Sequence, residues 1–145
     1  MEIDEIKRQW KENGSKWITS REGITNDVIN WAKDFGNFLA KPKDSNNRDY
    51  LDKLSTSQLR KFFGKLRRIQ AEGYEKNKNE LYMLKAQLAY ANGRDKKSGR
   101  NQTKIDVFYN ELSSAIDYIQ NEKHFRNFVN IVEAIVAYHK AAGGE

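Results

Sequence analysis

Residues 105–140 read IDVFYNELSSAIDYIQNEKHFRNFVNIVEAIVAYHK, and the spacing within this stretch decides the fold class. Ile105, Phe108, Leu112, Ala115, Ile116 and Ile119 recur at three- and four-residue steps, and Phe125, Phe128, Val129, Val132, Ile135, Val136 and His139 repeat the pattern. An α-helix turns once every 3.6 residues, so each set gathers on one stripe of a helix. The short Asn121-Glu122-Lys123 connection between them predicts an antiparallel helix pair.

Working upstream, the same period returns. Residues 78–92 place Leu81, Leu84, Leu88 and Ala91 on one side, with Asn92-Gly93 as a left-handed terminator. Before it, Ser55-Thr56-Ser57-Gln58 has the form of a capping box, flanked by Leu54 and Leu59 at the staple positions. The helix it opens turns Leu59, Phe62, Phe63, Leu66 and Ile69 inward and should fray near Gly73. A further helix over 26–40 carries Val28, Trp31, Phe35, Phe38 and Leu39, with Thr25 as its cap and Ile24 and Ile29 as a staple. Residues 1–13 allow a short, weak amphipathic helix through Ile3, Ile6 and Trp10, whose docking Gly14, Gly23 and the intervening polar residues leave open. Lys41–Lys53, which includes the lone Pro42, is a loop. The expectation is an all-α fold, one helical domain over 1–145: a bundle of five helices, a weak sixth within a peripheral segment 1–24, and a basic loop over 92–104.

Composition narrows the function. The chain has 145 residues, no cysteine, two histidines and a formal charge of +6, with a mean hydropathy of −0.91 and a pI near 9.4. No apolar run approaches the ~18 residues of a membrane span. The acidic opening Met1-Glu2-Ile3-Asp4-Glu5 is unlike a secretion signal, so a cytoplasmic location is expected. Without cysteine there is no disulfide, thiol nucleophile or Cys-ligated zinc.

The positive charge belongs to the middle of the chain. Residues 55–104 hold thirteen basic and four acidic side chains, while 1–54 are balanced at ten of each and 105–145 carry three basic against six acidic. Arg60, Lys61, Lys65, Arg67 and Arg68 share one helix with no carboxylate between Ser55 and Ala71. Like charges at i,i+4, as at Lys61 and Lys65, destabilise an isolated helix, and a polyanion would supply the missing countercharge. Arg94, Lys96, Lys97 and Arg100 form a second cluster in the loop. A solvated basic face, or a complement to the preceding helix dipole, explains either cluster alone; both together favour nucleic acid.

Catalytic signatures are missing. Gly93 and Gly99 are separated by five rather than four residues and are followed by Arg100-Asn101, so they do not make a phosphate-binding loop. His124 and His139, if both on the last helix, are ~22 Å apart and read as structural. Asp49 and Asp52 lie in the Lys/Asn-rich loop and Glu133 has no Glu-x-x-His companion, so no metal and no cofactor is expected. Trp10, Trp17 and Trp31 could stack on bases, but Trp31 falls in an apolar stripe and reads as core. Tyr82 and Tyr90 are better stacking candidates, though packing is the more ordinary role for both.

Three segments resemble the small helical subunit of type III-A (Csm-type) CRISPR RNA-guided interference complexes. Leu54-Ser55-Thr56-Ser57-Gln58-Leu59-Arg60-Lys61-Phe62-Phe63 looks like the family's Ser-Gln-x-Arg-Lys helix start. Leu84-Lys85-Ala86-Gln87-Leu88-Ala89-Tyr90-Ala91-Asn92-Gly93-Arg94 is similar to its Leu-Ala-Tyr-Ala-x-Gly-Arg segment, and Phe125–Lys140 to its closing helix. The resemblance implies a compact helical protein that is not the nuclease, several copies of which stack beside other subunits and face the guide RNA–target RNA duplex. There, base pairing reads sequence while protein holds backbone and shape. By position, Arg60, Lys61 and Arg94 fall on family motifs; Lys65, Arg67, Arg68, Lys96, Lys97 and Arg100 are proposed RNA contacts on charge alone. Ile131 and Tyr138, off the main stripe of the last helix, are candidate contacts to a neighbouring subunit, with burial in the core as the alternative. Competing functions are a helix-turn-helix DNA-binding regulator, a ribonuclease using His139 or Glu133, and a protein–protein adaptor.

Overall fold

The computed structural model describes residues 2–40, 56–96 and 104–143. Among them are six α-helices and no strand: α1 (Glu2–Thr19), α2 (Asn26–Ala40), α3 (Thr56–Glu72), α4 (Lys78–Lys96), α5 (Lys104–Ile116) and α6 (Glu122–Ala141). The all-α class is as the spacing predicts, with six helices where five and a weak sixth were expected.

The closing helix is the centre of the bundle. Asn121, in extended conformation, caps it by accepting from the His124 backbone N–H at 2.9 Å, which meets one of the orphan donors at a helix start. Phe125, Phe128, Val129, Val132 and Ile135 are buried as the stripe predicts, and Asn127, Ile131 and Ala134 are buried as well. Burial around most of the circumference marks a helix surrounded by others. α2 packs along it most extensively, with α3 and α1 on its other sides. Gly36 makes the α2 approach possible, because a Cβ there would lie 2.8 Å from the His139 nitrogen and the Ile135 carbonyl oxygen.

The expected pairing of the last two helices is overturned. Among the described residues α5 and α6 scarcely touch; α5 packs against α4 and α1. A stripe shows that a helix buries a face, not which helix covers it. The α5 ring of Phe108 meets Phe62 edge-on at 5.4 Å and approaches Phe35 at 6.5 Å, so this ring also reaches α2 and α3.

The N-terminal segment is likewise not peripheral. α1 runs through Gly14 to Thr19 and buries Ile3, Ile6, Trp10 and Ile18 in the common core. Gly14 lies inside the helix with the Trp10 ring against it, where a Cβ would come within 3.0 Å. Trp10 stacks on Trp31 at 4.6 Å, Trp17 leans on both, and the Trp31 indole donates to the Ile6 carbonyl at 2.9 Å. The three tryptophans are therefore occupied by one another. The Asn127 amide donates to the Ile18 and Ser20 carbonyls at 2.8 and 2.9 Å, satisfying acceptors at the end of α1.

Smaller expectations resolve individually. Thr25 accepts from the Ile29 N–H through its carbonyl, but Ile24 stays exposed and no staple is buried. α3 ends at Glu72 with Gly73 at φ +106, a conformation glycine adopts freely. α4 continues past Asn92-Gly93 to Lys96, so the expected terminator lies inside the helix and the connection to α5 begins later than 92. Leu54 and Ser55 of the expected cap lie outside the described residues.

Candidate nucleic-acid interface

α3 exists because its apolar residues fall on one side: Leu59, Phe62, Leu66 and Ile69 are buried and Phe63 is half-buried against them. At 100° per residue the five cations are left to the remaining arc. They divide into two flanks. Arg60 and Arg67 lie beside Phe63, with the Arg67 guanidinium 5.8 Å from its ring centroid. Lys61, Lys65 and Arg68 lie on the side turned to α4.

Partners separate these cations further. Arg68 reaches Glu80 of α4 at 3.3 Å and Glu72 at 3.9 Å. Lys65 donates to the Gln87 amide oxygen. Arg60 and Lys61 are exposed and have no ion-pair partner among the described residues. The two contacts, Lys65 to Gln87 and Arg68 to Glu80, set α3 and α4 antiparallel across the short Gly73–Asn77 connection. That connection is tied by the Asn77 side-chain amide donating to the Gly73 carbonyl at 2.9 Å.

Between the two helices is an open groove of about 570 Å³. Lys61 and Lys65 form one wall, Met83, Gln87 and Tyr90 the other, and Phe62, Leu84 and Leu88 the floor; no carboxylate lines it among the described residues. Tyr90 is 72% exposed, Met83 56% and Tyr82 54%. The ordinary expectation of packing roles for Tyr82 and Tyr90 is thus overturned, since the inward face of α4 is filled by Leu81, Leu84 and Leu88. Met83 and Gln87 went unread in the sequence; their four-residue spacing off the leucine stripe was the available signal.

The second basic cluster is only partly placed. Arg94 and Lys96 lie in the closing turns of α4, one to two turns beyond Tyr90. Lys97 and Arg100 lie outside the described residues. Ile131 is 1% exposed and packs in this chain's own core, which removes it as a contact to a neighbour; Tyr138 is half-buried, with its Cβ near Gly36.

Both histidines serve the structure of α6. His124 accepts from the Gln120 N–H through Nδ1 at 3.2 Å beside the cap, and His139 is buried on the same helix. No group of three or more His, Asp or Glu side chains among the described residues could hold a metal ion. Nor is any described helix long and apolar enough to cross a membrane.

Comparison with known proteins agrees with the motifs. No curated protein and no solved structure matches the chain. The family model described as Csm2 Type III-A matches residues 24–145, which takes in α2 to α6 and the whole of the α3–α4 groove. The chain therefore belongs to the Csm2 Type III-A family, and so to the small subunits of type III-A CRISPR effector complexes.

Proposed function

We propose that this subunit is non-enzymatic and holds the guide RNA–target RNA duplex by its phosphates, stacking with further copies and neighbouring subunits in cytoplasmic antiviral defence. The observation that carries this reading is the α3 surface: five cations without an acid from Thr56 to Ala71, of which Arg60 and Lys61 are exposed and unpaired among the described residues. Oligoanions release condensed counterions when cations replace them, so binding of this kind weakens steeply with salt. Arg94, Lys96, Lys97 and Arg100 extend the same charge toward and beyond the end of α4.

The test is fluorescence anisotropy of labelled RNA over a salt series. Engagement of about four phosphates gives log affinity a slope near −2.8 against log salt for a single strand. A flat response overturns the proposal. Avidity along a stack of copies would raise affinity in the assembled complex above that of the lone chain. Purification from the native host at low salt should therefore co-elute short guide RNA with larger partners.

A further inference from the structure

The α3–α4 groove has more than charge in it. Lys61 and Lys65 of α3 line it together with Met83, Gln87 and Tyr90 of α4, and Lys61 and Tyr90 each lie about one helical turn beyond the Lys65–Gln87 contact. An exposed tyrosine beside two lysines, in a cleft lined by no carboxylate among the described residues, suits a ligand that is anionic at its edge and flat and aromatic in its body. Nucleotides have that form. The groove's volume of about 570 Å³ falls in the range of roughly 300–1,000 Å³ usual for ligand sites. Among the described residues the Tyr90 hydroxyl has no hydrogen-bond partner.

We infer that this groove is a nucleotide subsite, in which one unpaired base of a single-stranded RNA stacks on Tyr90 while Lys61 and Lys65 hold the flanking phosphates. The inference rests on the phosphate-binding reading of α3 and adds the base to it. A paired base is already stacked on both faces and cannot lie on the ring, so the occupant is a nucleotide outside the duplex. Stacking has no base preference of its own, because every base presents a π-face. The subsite therefore adds affinity without reading sequence.

The experiment compares full-length protein binding to a labelled oligouridylate and to an abasic ribose-phosphate oligomer of equal length and charge, each over a salt series, for the parent, Tyr90→Phe and Tyr90→Ala. The parent and Tyr90→Phe should prefer the oligouridylate by about tenfold; Tyr90→Ala should lose the preference and keep the salt slope. Because Tyr90 is exposed, circular dichroism should show all three equally folded. Equal binding of the two oligomers by the parent, or a preference that survives Tyr90→Ala, overturns the subsite while a retained salt slope leaves the phosphate reading standing. Absence of any salt slope overturns both. Sedimentation of the same proteins covers a different occupant: a self-associated parent that Tyr90→Ala dissociates, with the base preference unchanged, assigns the groove to a second copy and overturns the nucleotide.

Discussion

Glu111 lies on α5, 9% exposed, in a cleft of about 310 Å³ shared with Lys7 and Trp10 of α1. Burial pushes its carboxyl up to about 7 from 4.5, with Lys7 pulling in the opposite direction. The folded state then binds more protons than the unfolded chain between these two values, so stability falls as pH rises through that window. Glu111→Gln should leave the thermal midpoint near that of the parent at about pH 4 and raise stability above pH 7, by at most ~3 kcal/mol. Melting curves across pH check this; a difference that does not change with pH would refute it. Two glycines make an opposed pair at the same scale. Gly36→Ala drives a methyl into α6 backbone atoms that cannot yield, and should lower the urea midpoint by an amount worth about 1–3 kcal/mol. Gly64 has open space around its missing Cβ and is interior to α3, so Gly64→Ala should stabilise by roughly 0.5–1 kcal/mol.

At the scale of elements, the docking of α1 is the feature that a reading of the sequence places wrongly. Gly14, Gly23 and the polar residues between them read as a segment at the periphery. What holds α1 is contact with distant segments: Trp10 on Trp31, the Trp31 indole on the Ile6 carbonyl, and Asn127 on the last carbonyls of the helix. Asn127→Leu should leave those carbonyls without their buried donor, at a cost of about 1–3 kcal/mol. The loss should be local first. Native-state hydrogen exchange should speed at α1 amides before those of α6, because sub-global opening begins at the least protected unit. Uniform acceleration across both helices would count against a local role.

For the whole molecule the question is how the charge of the middle segment is divided between internal pairs and a ligand. Arg68 is already held by two carboxylates and Lys65 by an amide, whereas Arg60 and Lys61 are held by none of the described residues. Exposed ion pairs add little stability, so reversing either set should leave the fold intact while affecting RNA differently. Arg60→Glu with Lys61→Glu should weaken RNA binding and flatten the salt slope by about 1.4. Arg68→Ala should change the slope by less. Anisotropy on the same RNA measures both, and equal effects from the two variants would show that the internal pairs do not matter to binding.

By itself the sequence determined the all-α class, the inward face of nearly every helix and the segment that carries the positive charge. These follow from neighbours along the chain: a 3.6-residue period in Leu59 to Ile69 or Phe125 to His139, and a count of cations between Ser55 and Lys104. The Arg-Lys and Leu-Ala-Tyr-Ala motifs were legible for the same reason. Only the tertiary structure decided that α5 turns away from α6, that α6 is enclosed and takes Ile131 with it, and that Arg68 is engaged by Glu80 while Lys61 and Tyr90 line one groove. Each depends on distances between residues far apart in the chain, and a helical stripe gives the direction of burial without naming what lies there.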